Sequence, residues 1–155
     1  MPGKNYVGKG GHLAVMGEFL LRGYNVAMPE VDVGDDIFVV HDRAGRLWRI
    51  QVKTAIGKVR GYGYSGQFAV PLKQLVKTKD PDLFFVFALR KGSHWDHLVI
   101  PRRRLLIEHR KYHVGAVSRE TVILNFRFAR AKVLCAGRNF QPYRANWDEW
   151  PVIEF

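Results

Sequence analysis

The spacing of apolar residues changes several times along the chain, and each spacing predicts a different element. Over residues 12–22 apolar side chains recur every three or four positions, which predicts an amphipathic helix after a flexible, glycine-rich lead-in at 8–11. Two runs rich in Ile, Val, Phe and Trp, 36–41 and 46–54, predict strands. The Asp-Arg-Ala-Gly segment between them favours a turn, so the two runs are predicted to form a β-hairpin.

The segments around this hairpin complete a recognisable order of elements. Residues 24–28 are predicted as a short first strand, and the glycine-rich segment 55–66 as a loop or irregular hairpin that leads into a short strand at 67–71. A helix is predicted over 72–79, and the unbroken apolar run 83–89 predicts a strand buried on both faces. The order α-β-β-β-α-β predicts an α/β fold with a mixed central sheet flanked by helices.

The C-terminal part of the chain is less regular. A strand is predicted over 94–101 and a helix over 102–113, whereas 121–134 fits either a strand or a helix. From about 137 to 155 aromatic residues are widely spaced, which predicts a tail held against the domain or a second subunit, or one that stacks on bases. These residues are Phe140, Tyr143, Trp147, Trp150 and Phe155. The chain, 1–155, is predicted to form a single domain.

The predicted hairpin places polar residues on one face. If His41 lies opposite Arg46, antiparallel counting puts Asp36 opposite Gln51, with Cβ atoms roughly 4.5–5.5 Å apart. Lys53 is two residues beyond Gln51 and therefore shares its face, while the side chain of the intervening valine points the other way. Gly34 lies opposite Lys53 and leaves space there. The hairpin is thus predicted to cluster a carboxylate, a carboxamide and an ammonium group.

The charges along the chain are unevenly distributed. Residues 23–42 contain no Lys or Arg, but they contain five acids, Glu30, Asp32, Asp35, Asp36 and Asp42. Such a segment is either a solvated acidic loop or a cation site, because a bound cation would offset the mutual repulsion of the carboxylates. The Gln and Lys predicted to lie opposite Asp36 favour the cation site, and Asp32 and Asp35 are its other candidate ligands if the register differs.

An acid that opens a strand, a short turn and then (D/E/Q)-x-K in the next strand resemble the PD-(D/E)XK phosphodiesterase superfamily. The superfamily includes restriction enzymes, archaeal Holliday junction resolvases and some homing endonucleases of group I introns. The sequence IQVKT, with Gln in place of the usual acid, is similar to the resolvase-like and homing-endonuclease-like branch. The resemblance covers about residues 8–90 and implies a restriction-endonuclease-like αβββαβ core. Two departures stand out, since the literal Pro-Asp pair is absent and Gln51 removes one negative charge.

The resemblance also implies roles for individual residues. Asp36 would be the primary ligand of Mg²⁺, for which Mn²⁺ could substitute, and the Gln51 amide oxygen and the Val52 carbonyl would complete the ligand set. Lys53 would orient or deprotonate the attacking water and stabilise the phosphate in the transition state. Glu18, on the first helix, matches the position at which the family places another active-site acid.

The net charge of +11 over 155 residues indicates a polyanionic partner. The partner is expected to be DNA, either duplex or branched, with Lys58 and Arg60 on its phosphates, although a mobile surface loop is the alternative interpretation of their segment. The basic run of Arg102, Arg103 and Arg104 is likewise either a phosphate-binding patch or a solvated helix face.

The sequence contains no apolar run of about 18 residues and no signal-peptide core, and its single Cys135 fits a reducing compartment, so a cytoplasmic, non-membrane protein is expected. A homodimer or tetramer is expected because paired cuts in DNA usually need two symmetry-related sites. Three functions follow in decreasing order of expectation. They are a Mg-dependent DNA endonuclease, a non-cleaving nucleic-acid-binding protein on the same fold, and a basic protein that binds another anionic partner.

Overall fold

The computed structural model describes residues 2–147. The helices are α1 (Lys4–Leu21), α2 (Leu72–Val76) and α3 (Arg102–Tyr112), and a 3₁₀ turn covers Gln141–Tyr143. The strands are β1 (Asn25–Ala27), β2 (Ile37–His41), β3 (Arg46–Ile56), β4 (Lys58–Arg60), β5 (Gly63–Pro71), β6 (Leu83–Lys91), β7 (His94–Pro101), β8 (Ala116–Ser118), β9 (Thr121–Phe128), β10 (Val133–Cys135) and β11 (Arg138–Asn139).

The first sheet is mixed and contains five strands in the order β1-β2-β3-β6-β7. Strands β3 and β6 run parallel, and every other pair is antiparallel. The parallel pair requires a crossover, which β4, β5 and α2 provide between β3 and β6. The predicted α/β fold with a mixed central sheet flanked by helices is therefore confirmed.

A second, antiparallel sheet has the strand order β11-β10-β9-β5-β4, with β8 also paired to β9. Its strands β5 and β9 pack against the first sheet and, with α2 and α3, enclose the larger hydrophobic core. The segment 121–134, which fitted a strand or a helix by sequence, forms strands β9 and β10 because its alternate side chains enter this core. The segment 55–66 contributes β4 and the start of β5, so the irregular hairpin was the better of its two interpretations.

Strand β6 lies between two cores, as its unbroken apolar sequence predicted. Phe85, Phe87 and Leu89 belong to the core shared with the second sheet. Val86 and Ala88 belong to a smaller core beneath α1, which also contains Val15 and Phe19. The period of two in a strand therefore separates the two faces of the first sheet.

Helix α1 begins at Lys4 rather than at residue 12, so the prediction of a flexible lead-in at 8–11 was wrong. The glycines in this segment allow α1 to approach β3 closely. A Cβ atom on Gly11 would lie 2.2 Å from Cγ2 of Thr54, a distance that a real side chain cannot adopt. Close packing against β3 thus outweighs the low helix propensity of glycine.

The aromatic tail packs on the domain as far as the structure describes it. The ring of Phe140 is buried and lies 5.1 Å from the ring of Phe126, while Trp147 lies 5.1 Å from Phe19 beneath α1. Trp150 and Phe155 lie outside the described residues. No helix within residues 2–147 is both long enough and apolar enough to cross a membrane.

Candidate active site

The register of the β2–β3 hairpin is the one that the sequence predicts. His41 pairs with Arg46 and Ile37 pairs with Ile50. The backbone N–H of Asp36 donates to the carbonyl of Ile50 over 2.8 Å, so Asp36 lies directly beyond β2 and opposite Gln51. The carboxylate and the carboxamide therefore share one end of the hairpin.

Strand β3 continues past the end of β2, and this geometry creates the candidate site. Strand β2 pairs with β3 only as far as Ile50, while β3 extends to Ile56. The carboxylate of Asp36 occupies the edge of β3 left by β2. Its Oδ2 accepts hydrogen bonds from Nε2 of Gln51 at 2.6 Å and from the backbone N–H of Val52 at 2.7 Å.

Gln51 and Lys53 lie on the face of β3 that carries Phe85 and Phe87 in the neighbouring strand, since paired residues share a face. Gln51 is buried, and Lys53 is half-buried beside it. Burial lowers the pKa of the Lys53 ammonium, and the negative charges of Asp36 and Asp32 oppose this shift only in part.

The carboxyl group of Asp36 shows the opposite shift. Burial raises its pKa, and the charge of Asp32 adds to this effect. The charge of His12, the N–H of Val52 and the charge of Lys53 pull the pKa down without cancelling the rise. Asp36 and Lys53 are thus both held where their charged forms are disfavoured, which is typical of groups that bind a cation or exchange protons.

Helix α1 brings His12 to this site, and not Glu18 as predicted. Nε2 of His12 lies 3.5 Å from Oδ2 of Asp36. Glu18 is six residues further along the helix, about 9 Å along its axis, and its side chain pairs with Arg22 and acts electrostatically on His97. The assignment of Glu18 to the site is therefore corrected, because the helix begins earlier and packs closer than its sequence indicated.

The neighbouring acids have separate roles. Asp35 is buried and pairs with Arg49 and Lys79, each at 2.8 Å, so it holds the acidic loop against β3 and α2. The carboxylate of Asp32 accepts a hydrogen bond from the N–H of Gly34 at 2.9 Å. Only Asp32 adds to the negative charge felt by both Asp36 and Lys53.

Gln74, on α2, is a site residue that the sequence did not indicate. Its Nε2 lies 3.5 Å from Oε1 of Gln51, and it fills the space beside Gly34 that the hairpin leaves. Gly34 has a φ of +95°, a backbone conformation that suits glycine, and a Cβ there would lie 3.2 Å from Nε2 of Gln74. A polar residue on a short helix carries no motif, so the signal for Gln74 lies in the fold alone.

The oxygen atoms at the edge of β3 fit a hard divalent cation. The carboxylate of Asp36 faces this edge. The Val52 carbonyl faces it too, because the N–H and C=O groups of one strand residue point to the same side and its N–H reaches Asp36. The amide oxygen of Gln51 would join them after rotation of its carboxamide group. Carboxylate, carbonyl and amide oxygens are the ligands that Mg²⁺ prefers. Across residues 2–147, no cluster of three His, Cys, Asp or Glu side chains offers a competing metal site.

A basic cleft of about 640 Å³ opens beside Lys53 between α1, β3, β4 and β5. Lys4, Lys58 and Arg60 line it together with Lys53, and no acidic residue does. Lys58 and Arg60, which the sequence indicated as phosphate contacts, therefore flank the candidate site. A smaller cleft of about 280 Å³ lies on the other side of Gln74 and is lined by Lys73, Lys77 and Lys79.

The second predicted basic patch requires a correction. The Arg102 side chain is 2 % exposed and donates two hydrogen bonds to the Asp82 carboxylate, at 2.7 and 2.9 Å, and a third to the carbonyl of Leu75. It joins α3 to α2 and is not free to bind phosphate. Arg103 is exposed, and Arg104 donates to the hydroxyl of Tyr143 at 2.9 Å.

No family model and no curated protein sequence matches this chain. Among solved structures, the chain is similar to a bacterial homing endonuclease, I-Ssp6803I, at 17 % sequence identity. The TM-score is 0.58, and the match covers 96 % of this chain and 91 % of that one. The likeness extends over nearly the whole of both chains, so this protein shares the fold of a bacterial homing endonuclease.

Proposed function

We propose that this protein is a metal-dependent DNA endonuclease of the PD-(D/E)XK type that hydrolyses phosphodiester bonds in duplex or branched DNA. The observation that carries the proposal is the convergence of Asp36, Gln51 and Lys53 at the open edge of β3, beside a cleft lined by cations. Between the resolvase-like and homing-endonuclease-like alternatives, the fold shared with a homing endonuclease favours the second.

The basic cleft would hold the DNA backbone. Lys4, Lys58 and Arg60 are spaced along its walls and would contact successive phosphates, which positions the strand without reading its sequence. The phosphate to be cleaved would then lie over Lys53 at the end of the cleft. Because the cleft contains no acidic side chain, a polyanion meets no repulsion until it reaches Asp36.

The cation would be held by the Asp36 carboxylate, the Val52 carbonyl and the Gln51 amide oxygen. Bound Mg²⁺, or Mn²⁺ in its place, would supply the positive charge that relieves the negative charge building up on the phosphate during in-line attack by water. His12 lies beside Asp36 and would keep its carboxylate turned toward the edge of β3.

Lys53 would handle the proton. Burial lowers the pKa of its ammonium group, so the side chain gives up and regains a proton more readily than an exposed lysine does. In the neutral form its amine accepts a proton from the attacking water, and in the charged form it donates a hydrogen bond to a phosphate oxygen.

A second candidate, a nucleic-acid-binding protein that does not cleave, is favoured by one observation. Gln51 presents its NH₂ group, not its oxygen, to Asp36. Together with the replacement of an acid by Gln and the placement of His12 where an acidic residue was expected, this leaves Asp36 as the single carboxylate in contact with Gln51 and Val52. The two candidates make the same prediction for DNA binding and opposite predictions for cleavage.

The test is a nicking assay on supercoiled and branched DNA with Mg²⁺ or Mn²⁺. The wild type should nick, and Asp36→Asn and Lys53→Met should each lower the rate by about 10²–10³-fold while leaving DNA affinity in Ca²⁺ largely unchanged. Glu30→Gln, an exposed acid in the same loop, is the matched control and should cut like the wild type. A wild type that binds DNA and cuts neither substrate would establish the non-cleaving alternative. Binding without salt dependence would overturn both.

The proposed assembly is a homodimer or tetramer, because one chain holds one candidate site and a double-strand cut requires two. Sedimentation or light scattering of the purified protein, with and without duplex DNA, measures this directly. A monomer in both conditions that makes only single-strand nicks would limit the proposal to a nicking enzyme.

A further inference from the structure

We propose that Gln74 is a positioning residue that sets which end of the Gln51 carboxamide faces Asp36, and thereby how tightly the site binds a divalent cation. The inference rests on the proposed metal-dependent function and extends it to a residue on α2. It derives from a chain of two amide groups that ends at Asp36.

The first link in this chain is the contact between Gln51 and Asp36. Nε2 of Gln51 donates to Oδ2 of Asp36 over 2.6 Å, and Oε1 of Gln51 faces away, toward α2. In this orientation a cation next to Asp36 would meet the NH₂ group of Gln51, which cannot be a ligand. Rotation of the carboxamide by about 180° exchanges its two ends at almost no change in shape and turns Oε1 toward the cation.

The second link decides whether that rotation leaves a buried donor without a partner. Gln51 is 6 % exposed, so its NH₂ group needs an acceptor on the α2 side once it turns away from Asp36. Gln74 is the side chain found there. It donates to Gln51 in the present orientation, and as a carboxamide it can instead accept after rotating its own amide group.

Gln74 is free to make this change. Its hydrogen bond to Gln51 is 3.5 Å long and hence weak, and its Oε1 is buried without a hydrogen-bond partner among the residues that the structure describes. No strong contact therefore holds its amide in one orientation. A residue able either to donate or to accept supports Gln51 both in the orientation that binds Asp36 and in the one that binds a cation.

The test is direct measurement of cation binding, without DNA, by calorimetry with Mn²⁺ and by the shift in melting temperature with Ca²⁺. Gln74→Met keeps the length of the side chain but removes both amide ends, and it should weaken cation affinity by about tenfold, as is typical for residues that orient metal ligands. Gln74→Glu can only accept from Gln51 and should bind the cation more tightly than the wild type. Val76→Ala, an exposed change on the same helix, should leave affinity unchanged.

A double-mutant cycle separates positioning from a structural or purely electrostatic role. In a Gln51→Glu background both ends of residue 51 are oxygens, so its orientation no longer matters and Gln74→Met should have no effect on cation affinity. The inference is overturned if Gln74→Met weakens binding equally in both backgrounds, or in neither. A wild type that binds no cation would instead overturn the proposed function, and this inference with it, so the two failures are distinguishable.

Discussion

Asp36 and Asp96 are both buried carboxylates on the first sheet, and they are used in opposite ways. Asp96 pairs with Arg144 through two hydrogen bonds, at 3.1 and 2.6 Å, and with Lys91 at 2.8 Å. Asp36 receives its two short hydrogen bonds from neutral groups, an amide side chain and a backbone N–H. One carboxylate is thus neutralised by fixed cations, whereas the other keeps an uncompensated charge.

The pKa values of the two groups follow from this difference. Burial alone would raise the pKa of both carboxyl groups. At Asp96 the hydrogen bonds and charges of Arg144 and Lys91 outweigh burial and lower the pKa. At Asp36 burial prevails and the pKa is raised. Similar burial therefore produces a structural ion pair where arginine reaches the acid and a candidate cation site where it does not.

The largest expected difference between the two acids is in stability. Asp96→Ala removes the partner of Arg144, which also ties the tail to the carbonyls of Ala129 and Arg130. The change should lower the free energy of unfolding by about 3–5 kcal/mol, as is typical when one partner of a buried ion pair is lost. Asp36→Ala should cost far less, because no cation is left unpaired. Urea unfolding of both variants measures this, and equal losses would contradict the comparison.

The two aspartates should also give stability profiles of opposite sign against pH in metal-free buffer. The pKa of Asp96 is lowered on folding, so its stabilisation is present above the unfolded value of about 3.8 and is lost as the pH falls through the folded pKa. Asp96→Asn should therefore be less stable than the wild type at pH 7, with a gap that closes in acid. The pKa of Asp36 is raised, so Asp36→Asn should be more stable than the wild type at pH 7, with a gap that also closes in acid.

Chemical unfolding between pH 3 and pH 7 tests this pair of profiles, with Glu30→Gln as the exposed control. If both asparagine variants destabilise the protein at neutral pH, Asp36 is a structural ion-pair acid like Asp96 and the contrast drawn here is lost.

A smaller effect is expected for Lys53. Because burial lowers the pKa of its ammonium group, the charged form opposes folding at neutral pH and the penalty disappears as the pH rises above the folded pKa. Lys53→Met should therefore raise the free energy of unfolding of the metal-free protein by about 0.5–1 kcal/mol at pH 7. Lys58→Met, at an exposed position in the same cleft, should change it little. A loss of stability in Lys53→Met would show that its charge is fully compensated.

The smallest effect concerns DNA affinity. Lys58→Gln and Arg60→Gln should each reduce the slope of log affinity against log salt by about one and weaken binding similarly for all sequences. Lys132→Gln, an exposed change that does not line the cleft, is the control. Fluorescence anisotropy across a salt series measures the slopes. Equal slopes for the wild type and both cleft variants would place the DNA elsewhere on the surface.

The local chemistry of the site could be predicted from the sequence, because a hairpin has few possible registers. The turn between β2 and β3 and the alternation of apolar residues placed Asp36 opposite Gln51, and the structure has this register. The same period of two put Lys53 beside Gln51. These relationships extend over a few residues and depend on backbone geometry that any strand pair shares.

The residues that only the tertiary structure reveals come from other elements. Helix α1 could approach β3 only because Gly11 packs against Thr54, and this contact brings His12, not Glu18, to Asp36. Arg102 looked like part of a basic surface until its partner Asp82 was in place.

The sequence by itself thus determined the mixed sheet, the register of the hairpin and the excess of positive charge, since each follows from local pattern or composition. The tertiary structure decided which helix residue and which amide, His12 and Gln74, complete the site. The reason is physical, because those contacts depend on how closely separate elements pack, and packing distance is a property of side-chain shape on both partners and not of either segment alone.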